Sequence, residues 1–226
     1  MGKIFDTEGG VMSFLGKMAD LLWLNILTLL CCIPIVTIGA STTAMYTMTL
    51  KMVNKEEGYI TKGFFTAFKK NFKQATIIWM ITLVVFILFY VDYRIILYSG
   101  IKFPKVLMIL LTAMLILMYA TYMYIFPVLA RYENSTKNVL KNSFILSISN
   151  LPKTVLIIIM QFIPIVVLYY IPMSVPVILL FGLTAVAYVS SLLFMTIFKK
   201  IEEKWAEEAE SQDIEEHQVD EHQIDS

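Results

Sequence analysis

A run of thirty residues without a single charge, residues 21–50, constrains this chain more than any other feature. It lies between Asp20 and Lys51 and is predominantly apolar. About 20 apolar residues are enough to cross a bilayer as a helix, so a window of this length predicts a membrane-spanning segment. Further long apolar runs follow it, which favours a polytopic membrane protein over a soluble domain with one anchor.

The composition agrees, because 58% of the residues are hydrophobic and only 16% are charged, against roughly 25% charged in soluble domains. The net charge of zero hides an asymmetry. Residues 199–226 hold eleven acids and three lysines, whereas the rest of the chain carries fifteen basic and seven acidic groups. We therefore predict a basic membrane domain over 1–200 and an acidic tail over 201–226, disordered apart from a short helix near Trp205.

Hydropathy and turn residues predict an all-α fold with about five membrane-spanning helices. The predicted spans are residues 19–41, 75–96, 105–127, 154–171 and 176–198. Thirty helical residues extend about 45 Å, too long for one perpendicular span and too short for two. We therefore interpret 21–50 as one span, kinked at Pro34, that continues into a helix over 43–54. A re-entrant hairpin is the alternative.

Two amphipathic helices are predicted to lie in the membrane surface, one over 61–74 and one beginning at Thr136. Each leads through an asparagine into a span. These asparagines are 79 positions apart, which either chance or a duplicated unit in parallel orientation would explain. The candidate residues for contact with the membrane surface or a partner are Phe64, Phe68, Lys69, Lys70, Asn71, Phe72, Lys73 and Asn150.

Loops rich in Lys and Arg are predicted to face the cytoplasm. Residues 42–74 carry six lysines and 131–153 carry four basic residues, whereas 172–176 carry none. With five spans, the C-terminus is cytoplasmic and the N-terminus lies outside. Two crossings within 21–50 would instead place the N-terminus inside.

Uncharged polar residues within the spans form the candidate intramembrane site. Asn25 and Gln161 need hydrogen-bond partners in the bilayer, so we expect them to face other helices or a cavity. The small and polar residues around Pro34 are typical either of a close helix contact or of a broken-helix ligand site. The candidates are Asn25, Pro34, Thr37, Gly39, Ser41, Thr43 and Gln161.

Sequence signatures of enzymes are missing, so we expect a non-enzymatic protein without cofactor or metal. Both histidines lie in the acidic tail, and Cys31 and Cys32 are adjacent, so they cannot link distant segments. No Gly-rich phosphate loop or nucleophile elbow occurs. The basic loops are aromatic and close to the spans, which favours anionic membrane lipid over nucleic acid as a partner.

From Leu21 onward the chain resembles the YesL family of bacterial membrane proteins. The resemblance covers nearly all of the chain up to Lys200. It rests on residues 21–25 (LLWLN), 32–44 (CIPIVTIGASTTA), Tyr46, 57–59 (EGY), 64–74 (FFTAFKKNFKQ) and 150–154 (NLPKT). It implies a location in the bacterial cell membrane and an association with sugar-uptake ABC transporters, whose permease subunits would be partners. The family has no defined activity, so no catalytic residue is implied.

Three hypotheses follow. The first is a non-enzymatic membrane protein accessory to a carbohydrate ABC-type uptake system, acting by binding a transporter subunit. The second is a small autonomous solute transporter that uses the broken first span. The third is a structural or lipid-sensing protein working through residues 61–74. No ligand and no oligomeric state follow from the sequence.

Overall fold

A computed structural model describes residues 4–56, 58–98 and 104–224, with side chains over 12–56, 58–96, 98, 104–207 and 210. This part of the chain contains seven α-helices and no strand. They are α1 Ile4–Cys32, α2 Ile38–Val53, α3 Ile60–Tyr98, α4 Lys105–Arg131, α5 Thr136–Ser149, α6 Leu151–Tyr170 and α7 Val175–Ile224. Five of them (α1, α3, α4, α6 and α7) are long and apolar enough to cross a membrane. The predicted class, an all-α polytopic membrane protein, is confirmed.

The chain reverses direction at residues 33–37, between α1 and α2. The Ser41 hydroxyl donates a 2.9 Å hydrogen bond to the carbonyl of Thr28, although a continuous helix would hold these residues about 20 Å apart. Pro34 explains the break, because it lacks an N–H and disfavours helix at the residue before it. The interpretation of 19–41 as one span continuing into 43–54 is therefore wrong, and the hairpin alternative describes the structure.

The polar backbone of this turn is hydrogen-bonded. The Thr37 hydroxyl lies 2.6 Å from the carbonyl oxygen of Cys31 and 2.7 Å from that of Pro34. The Trp79 indole N–H donates to the carbonyl of Ile35 at 2.8 Å. Irregular backbone at membrane depth is tolerated only where its polar groups are bonded. This turn meets that condition while its apolar side chains remain exposed.

Helix α2 forms the centre of the bundle. Ten of its sixteen residues are buried, and α1, α3, α4 and α7 all pack against it. Sixteen helical residues extend about 24 Å, less than the roughly 30 Å hydrocarbon core of a bilayer. Helix α2 is therefore too short to count among the five candidate spans, although it lies at the centre of the bundle.

The hairpin brings the start of α1 beside the connection between α2 and α3. The Trp23 indole N–H donates to the Thr61 hydroxyl at 2.8 Å. Lys17, Lys51 and Arg131 line one shared cavity, and Arg131 pairs with Glu202 after the last span. We call this end of the bundle, marked by these basic residues, the basic end.

A labelling experiment tests this topology. In a chain with both native cysteines replaced by alanine, Ser13→Cys and Glu210→Cys are expected to react with a membrane-impermeant maleimide from the same side. Met173→Cys, in the α6–α7 connection, is expected to react from the other side, because its side chain is exposed at the opposite end of α7. If Ser13→Cys and Met173→Cys reacted from the same side, residues 21–50 would cross the membrane once, and the hairpin topology would be wrong.

Residues 61–74, predicted as a separate surface helix, form the first turns of α3 instead. Phe64 is completely buried, and Phe68 stacks on it with ring centroids 6.2 Å apart. Phe72 remains 39% exposed. The aromatic face is therefore divided: Phe64 packs in the protein core under α2, where lipid headgroups were expected, and Phe65 and Phe72 stay exposed.

The second predicted surface helix is present as α5. Ser135 caps its N-terminus by accepting from the Asn138 N–H. Its Phe144, Ile145 and Ile148 side chains are all exposed by 40% or more. An exposed apolar face next to a membrane-spanning helix is typical of a helix that lies in the lipid headgroup layer.

The acidic tail differs from the predicted disorder, because α7 continues through residues 201–224. Glu, Ala, Lys and Gln are good helix formers, and they dominate this segment. Two contacts hold the start of this segment. The Arg131 guanidinium donates hydrogen bonds of 3.0 and 3.1 Å to the Glu202 carboxylate, and the ring centroids of Trp205 and Tyr132 lie 5.7 Å apart. The short helix expected near Trp205 is thus part of a longer one.

The first part of α3 resembles α5 and the start of α6 in its pattern of buried residues, when positions 79 residues apart are compared. The side-chain amides of Asn71 and Asn150 each donate to the carbonyl four residues earlier, both at 3.2 Å. Corresponding buried positions are Phe64 and Ser143, Ala75 and Thr154, and Ile78 and Ile157. The agreement favours a duplicated unit over chance, although α3 is continuous where Asn150 separates two helices.

Candidate functional site

A cavity of about 1170 Å³ opens at the basic end. It lies between the start of α1, the end of α2, the connection to α3, the first turns of α3 and the residues after α4. We call it the basic cavity. Its charged lining residues are Lys17, Lys51, Lys55, Lys62, Lys70 and Arg131, together with Asp20, Glu56 and Glu133.

The end of α2 presents Lys51 and Lys55 to this cavity. The N–H of Glu56 donates to the carbonyl of Lys51 at 3.0 Å, and that of Lys55 donates to Met52 at 3.3 Å. This pair of bonds is a Schellman motif, which requires a left-handed residue at the position of Lys55. Lys55 has φ of 57°, where glycine is usual. Such local strain in a non-glycine residue is concentrated at functional sites.

An ion pair and a hydrogen bond connect the elements of the opposite wall. Lys70 on α3 pairs with Glu133, and the Gln74 side-chain amide donates to the carbonyl of Asn134 at 2.7 Å. The hydrogen bond from Lys70 holds the pKa of the Glu133 carboxyl below its usual range. These contacts dock the connection after α4 onto the first turns of α3.

A bidentate pair between Arg131 and Glu202 joins the end of α4 to α7. The Tyr132 hydroxyl donates to the same carboxylate at 3.2 Å. Burial, and then the adjacent negative charge of Glu202, raise the pKa of the Tyr132 phenol. Tyr132 therefore stays protonated and serves as a hydrogen-bond donor.

The charged lining residues determine the electrostatic character of the cavity. Six basic groups face three carboxylates, and two of the basic groups are engaged in the ion pairs just described. Among the described side chains, Lys17, Lys51, Lys55 and Lys62 form no ion pair. A concave surface with an excess of positive charge attracts anionic ligands. The arrangement is therefore suited to an anionic group.

Asn25 joins two helices and does not face a cavity. It is completely buried, and its amide N–H donates to the carbonyl of Leu179 at 2.7 Å. Its oxygen accepts from the backbone N–H of Thr184 at 3.2 Å, and the Thr184 hydroxyl donates to Leu21 at 2.9 Å. These bonds link α1 to α7 across the bundle.

The candidates around the break also serve packing. The hydroxyl of Ser41 bonds to α1, as described above, and that of Thr43 bonds to the carbonyl of Gly39 at 2.8 Å. A side chain at Gly39 would collide with Ala75 and Trp79 on α3. Pro34 and Thr37 form the turn itself. Of the two alternatives, these described residues therefore form a close contact of α2 with α1 and α3, and they do not form an open broken-helix ligand site.

Gln161 lies near a pair of tyrosines that the sequence interpretation missed. It is partly buried on α6 beside Phe162, whose ring centroid lies 6.3 Å from that of Tyr119, and the rings of Tyr119 and Tyr122 stack 6.3 Å apart on α4. The signal was available, because Tyr119 and Tyr122 share one face of a predicted span at a spacing of three.

Two further interhelical polar pairs were also missed. The hydroxyls of Thr49 and Ser191 lie 2.8 Å apart and join α2 to α7. Those of Tyr124 and Thr154 lie 2.8 Å apart and join α4 to the start of α6. Each pair holds spans together by the hydrogen bonding expected of polar groups in a bilayer.

The predicted surface residues separate into two groups. Lys70 and Asn71 line the basic cavity, whereas Lys69 and Lys73 are exposed outside it. The sequence interpretation missed the contribution of Lys17, Lys51, Lys55 and Arg131, because only the hairpin brings these segments together. No group of three or more potential metal ligands occurs in the searched, described part of the chain.

One comparison with known proteins bears on this site. A family described as "Protein of unknown function, DUF624" matches residues 21–93. The matched stretch runs from α1 through α2 into α3, so it contains the hairpin and much of the basic cavity. No curated protein and no solved structure matches the chain. The protein is thus a helical membrane protein with similarity to a family of unknown function.

Proposed function

We propose that this protein is a non-enzymatic accessory subunit of a carbohydrate ABC-type uptake system in the bacterial cell membrane. In this proposal the basic end and the C-terminus face the cytoplasm, and the basic cavity receives an acidic segment of the permease subunit. The observation that carries the proposal is the convergence of basic residues from α1, α2, α3 and the end of α4 on one cavity.

The size and charge of the cavity support a peptide partner. At about 1170 Å³ the cavity exceeds the roughly 300–1,000 Å³ of sites for small ligands. Complementary charge mainly sets specificity and the rate of association between proteins, which suits recognition of one subunit among many in the same membrane. The carbohydrate system itself is taken from the resemblance to the YesL family.

Autonomous solute transport is the second candidate. The partly buried Gln161 beside the stacked rings of Tyr119 and Tyr122 favours it, because hydroxyl and amide groups among aromatic rings suit a polar solute. Against it stand Asn25, Ser41 and Thr43, which are bonded within the bundle.

In-membrane cross-linking followed by affinity purification and mass spectrometry tests the accessory role. We expect wild-type protein to recover a permease subunit in stoichiometric amount. Lys51→Glu combined with Lys62→Glu is expected to reduce that recovery about 10-fold, because charge reversal makes the cavity repel an acidic segment. Both side chains are exposed, so the fold should persist.

Lys69→Glu combined with Lys73→Glu is the matched control, since it reverses two exposed lysines of α3 outside the cavity. Its recovery is expected to equal that of the wild type. Recovery of the protein alone, or only with copies of itself, would refute the accessory role. Solute flux in proteoliposomes would then be the next measurement.

A further inference from the structure

A second concavity, of about 360 Å³, lies between α5 and residues 197–205 of α7, where the last predicted span ends. We call it the α5–α7 groove. Val128 and Tyr132 form its floor, and Tyr132 separates it from the basic cavity. Its volume lies within the roughly 300–1,000 Å³ of ligand sites.

Each wall of the groove is a single helix face. The lining residues recur at spacings of three and four, which places them on one side of each helix. The wall from α5 consists of Asn142, Ile145, Leu146 and Ser149, and the wall from α7 consists of Ile197, Lys200, Ile201, Lys204 and Trp205. The walls thus combine aliphatic side chains with two lysines and small polar groups, whereas Glu203 and Glu207 do not line the groove.

The groove opens where lipid meets water. On one side, α5 presents its exposed apolar face next to Leu151, the first residue of a span. On the other side, Trp205 is 50% exposed and follows the span that ends near Phe198. Tryptophan and lysine are typical of this boundary, because their apolar parts contact lipid while their polar ends reach water.

We propose that the α5–α7 groove binds one anionic phospholipid, with its phosphate between Lys200 and Lys204 and an acyl chain along Ile145 and Ile201. Basic pockets between helices on the cytoplasmic side of a membrane bind anionic headgroups. Lysines four residues apart on a helix repel each other, so a phosphate between them removes an unfavourable interaction. The aliphatic walls favour a lipid over a free anion.

Native mass spectrometry of the detergent-solubilised full chain tests this site. Phosphatidylglycerol and phosphatidylcholine with identical acyl chains are the probes. We expect one phosphatidylglycerol bound about 10-fold more tightly than phosphatidylcholine. Lys200→Gln combined with Lys204→Gln is expected to abolish that preference, because each lysine contributes substantially to anionic lipid binding.

Lys69→Gln combined with Lys73→Gln is the matched control, with the same spacing and charge change on α3, and its preference should remain. Ile145→Gln should weaken binding of both lipids alike, and an unchanged affinity would refute the acyl-chain position. The proposed site would be overturned if the wild type did not prefer phosphatidylglycerol, or if both double variants lost this preference to the same extent. Displacement by glycerol phosphate at the lipid's own concentration would assign the groove to soluble anions and overturn it as well.

Discussion

Replacing Gly39 by alanine is expected to lower the free energy of unfolding by about 2 kcal/mol. A Cβ at this position would lie 2.5 Å from the carbonyl oxygen of Ala75 and 2.7 Å from the Cβ of Trp79. Both atoms belong to or adjoin the backbone of α3, so they cannot move aside as the end of a side chain would. The helices must separate, and overpacking of this kind costs about 1–3 kcal/mol. Reversible unfolding in mixed micelles with increasing SDS measures the loss.

Two other glycines provide matched controls. A Cβ at Gly63 would approach only the Sδ and Cε atoms of Met48, and this flexible side chain can move. A Cβ at Gly16 would meet nothing within 4 Å, and alanine is favoured over glycine in a helix by about 1 kcal/mol. Gly63→Ala should therefore cost less than Gly39→Ala, and Gly16→Ala should cost nothing. Equal stability of Gly39→Ala and Gly16→Ala would contradict the close contact of α2 with α3.

The fold class could be predicted because the bilayer acts through local composition. A segment that crosses lipid must be apolar over about 20 residues, and that requirement is visible in any window of the sequence. The predicted span over 105–127 accordingly falls within α4, and that over 154–171 overlaps α6 up to Tyr170. The solvent imposes this pattern on each helix separately, whatever its neighbours are.

The hairpin could not be predicted in the same way. Nothing local distinguishes a kink at Pro34 from a reversal, because the residues on both sides are uncharged and apolar. The bond from Ser41 to Thr28 and the fit of Gly39 against Ala75 decide between them. Both are contacts between helices, so hydropathy carries no record of them. The side of the membrane on which the N-terminus lies depends on these same contacts, so the sequence alone does not determine it.

The sites show the same limit. Helical periodicity correctly identified an aromatic face over 61–74, but not that α2 would cover Phe64. The need of Asn25 for a partner was evident from its apolar surroundings, whereas Leu179 and Thr184 are more than 150 positions away. The lysines lie in separate segments of the sequence, and only the folded hairpin brings them into one cavity.

Asn25→Ala is expected to lower the free energy of unfolding by about 2 kcal/mol. The substitution removes the three hydrogen bonds of the amide, one to the carbonyl of Leu179 and two from the N–H and the hydroxyl of Thr184. The buried N–H of Thr184 loses its side-chain acceptor. Hydrogen bonds between membrane helices contribute about 0.6–1.7 kcal/mol each, and an unsatisfied buried group adds to the loss. The same unfolding measurement in mixed micelles applies.

Thr28→Val is the control for this loss. Thr28 is buried on the same helix, but its hydroxyl bonds to Leu24 within α1, so the link to α7 survives and the cost should stay below about 1 kcal/mol. Combining Asn25→Ala with Thr184→Val should cost less than the two single losses together, because each substitution removes the hydrogen bond of the Thr184 hydroxyl to the Asn25 oxygen. If the two losses in unfolding free energy were additive, the side chains of Asn25 and Thr184 would not interact, which would contradict this prediction. A stable Asn25→Ala protein that had lost solute flux would make Asn25 a ligand residue, and the transporter would then displace the accessory subunit as the better account of this fold.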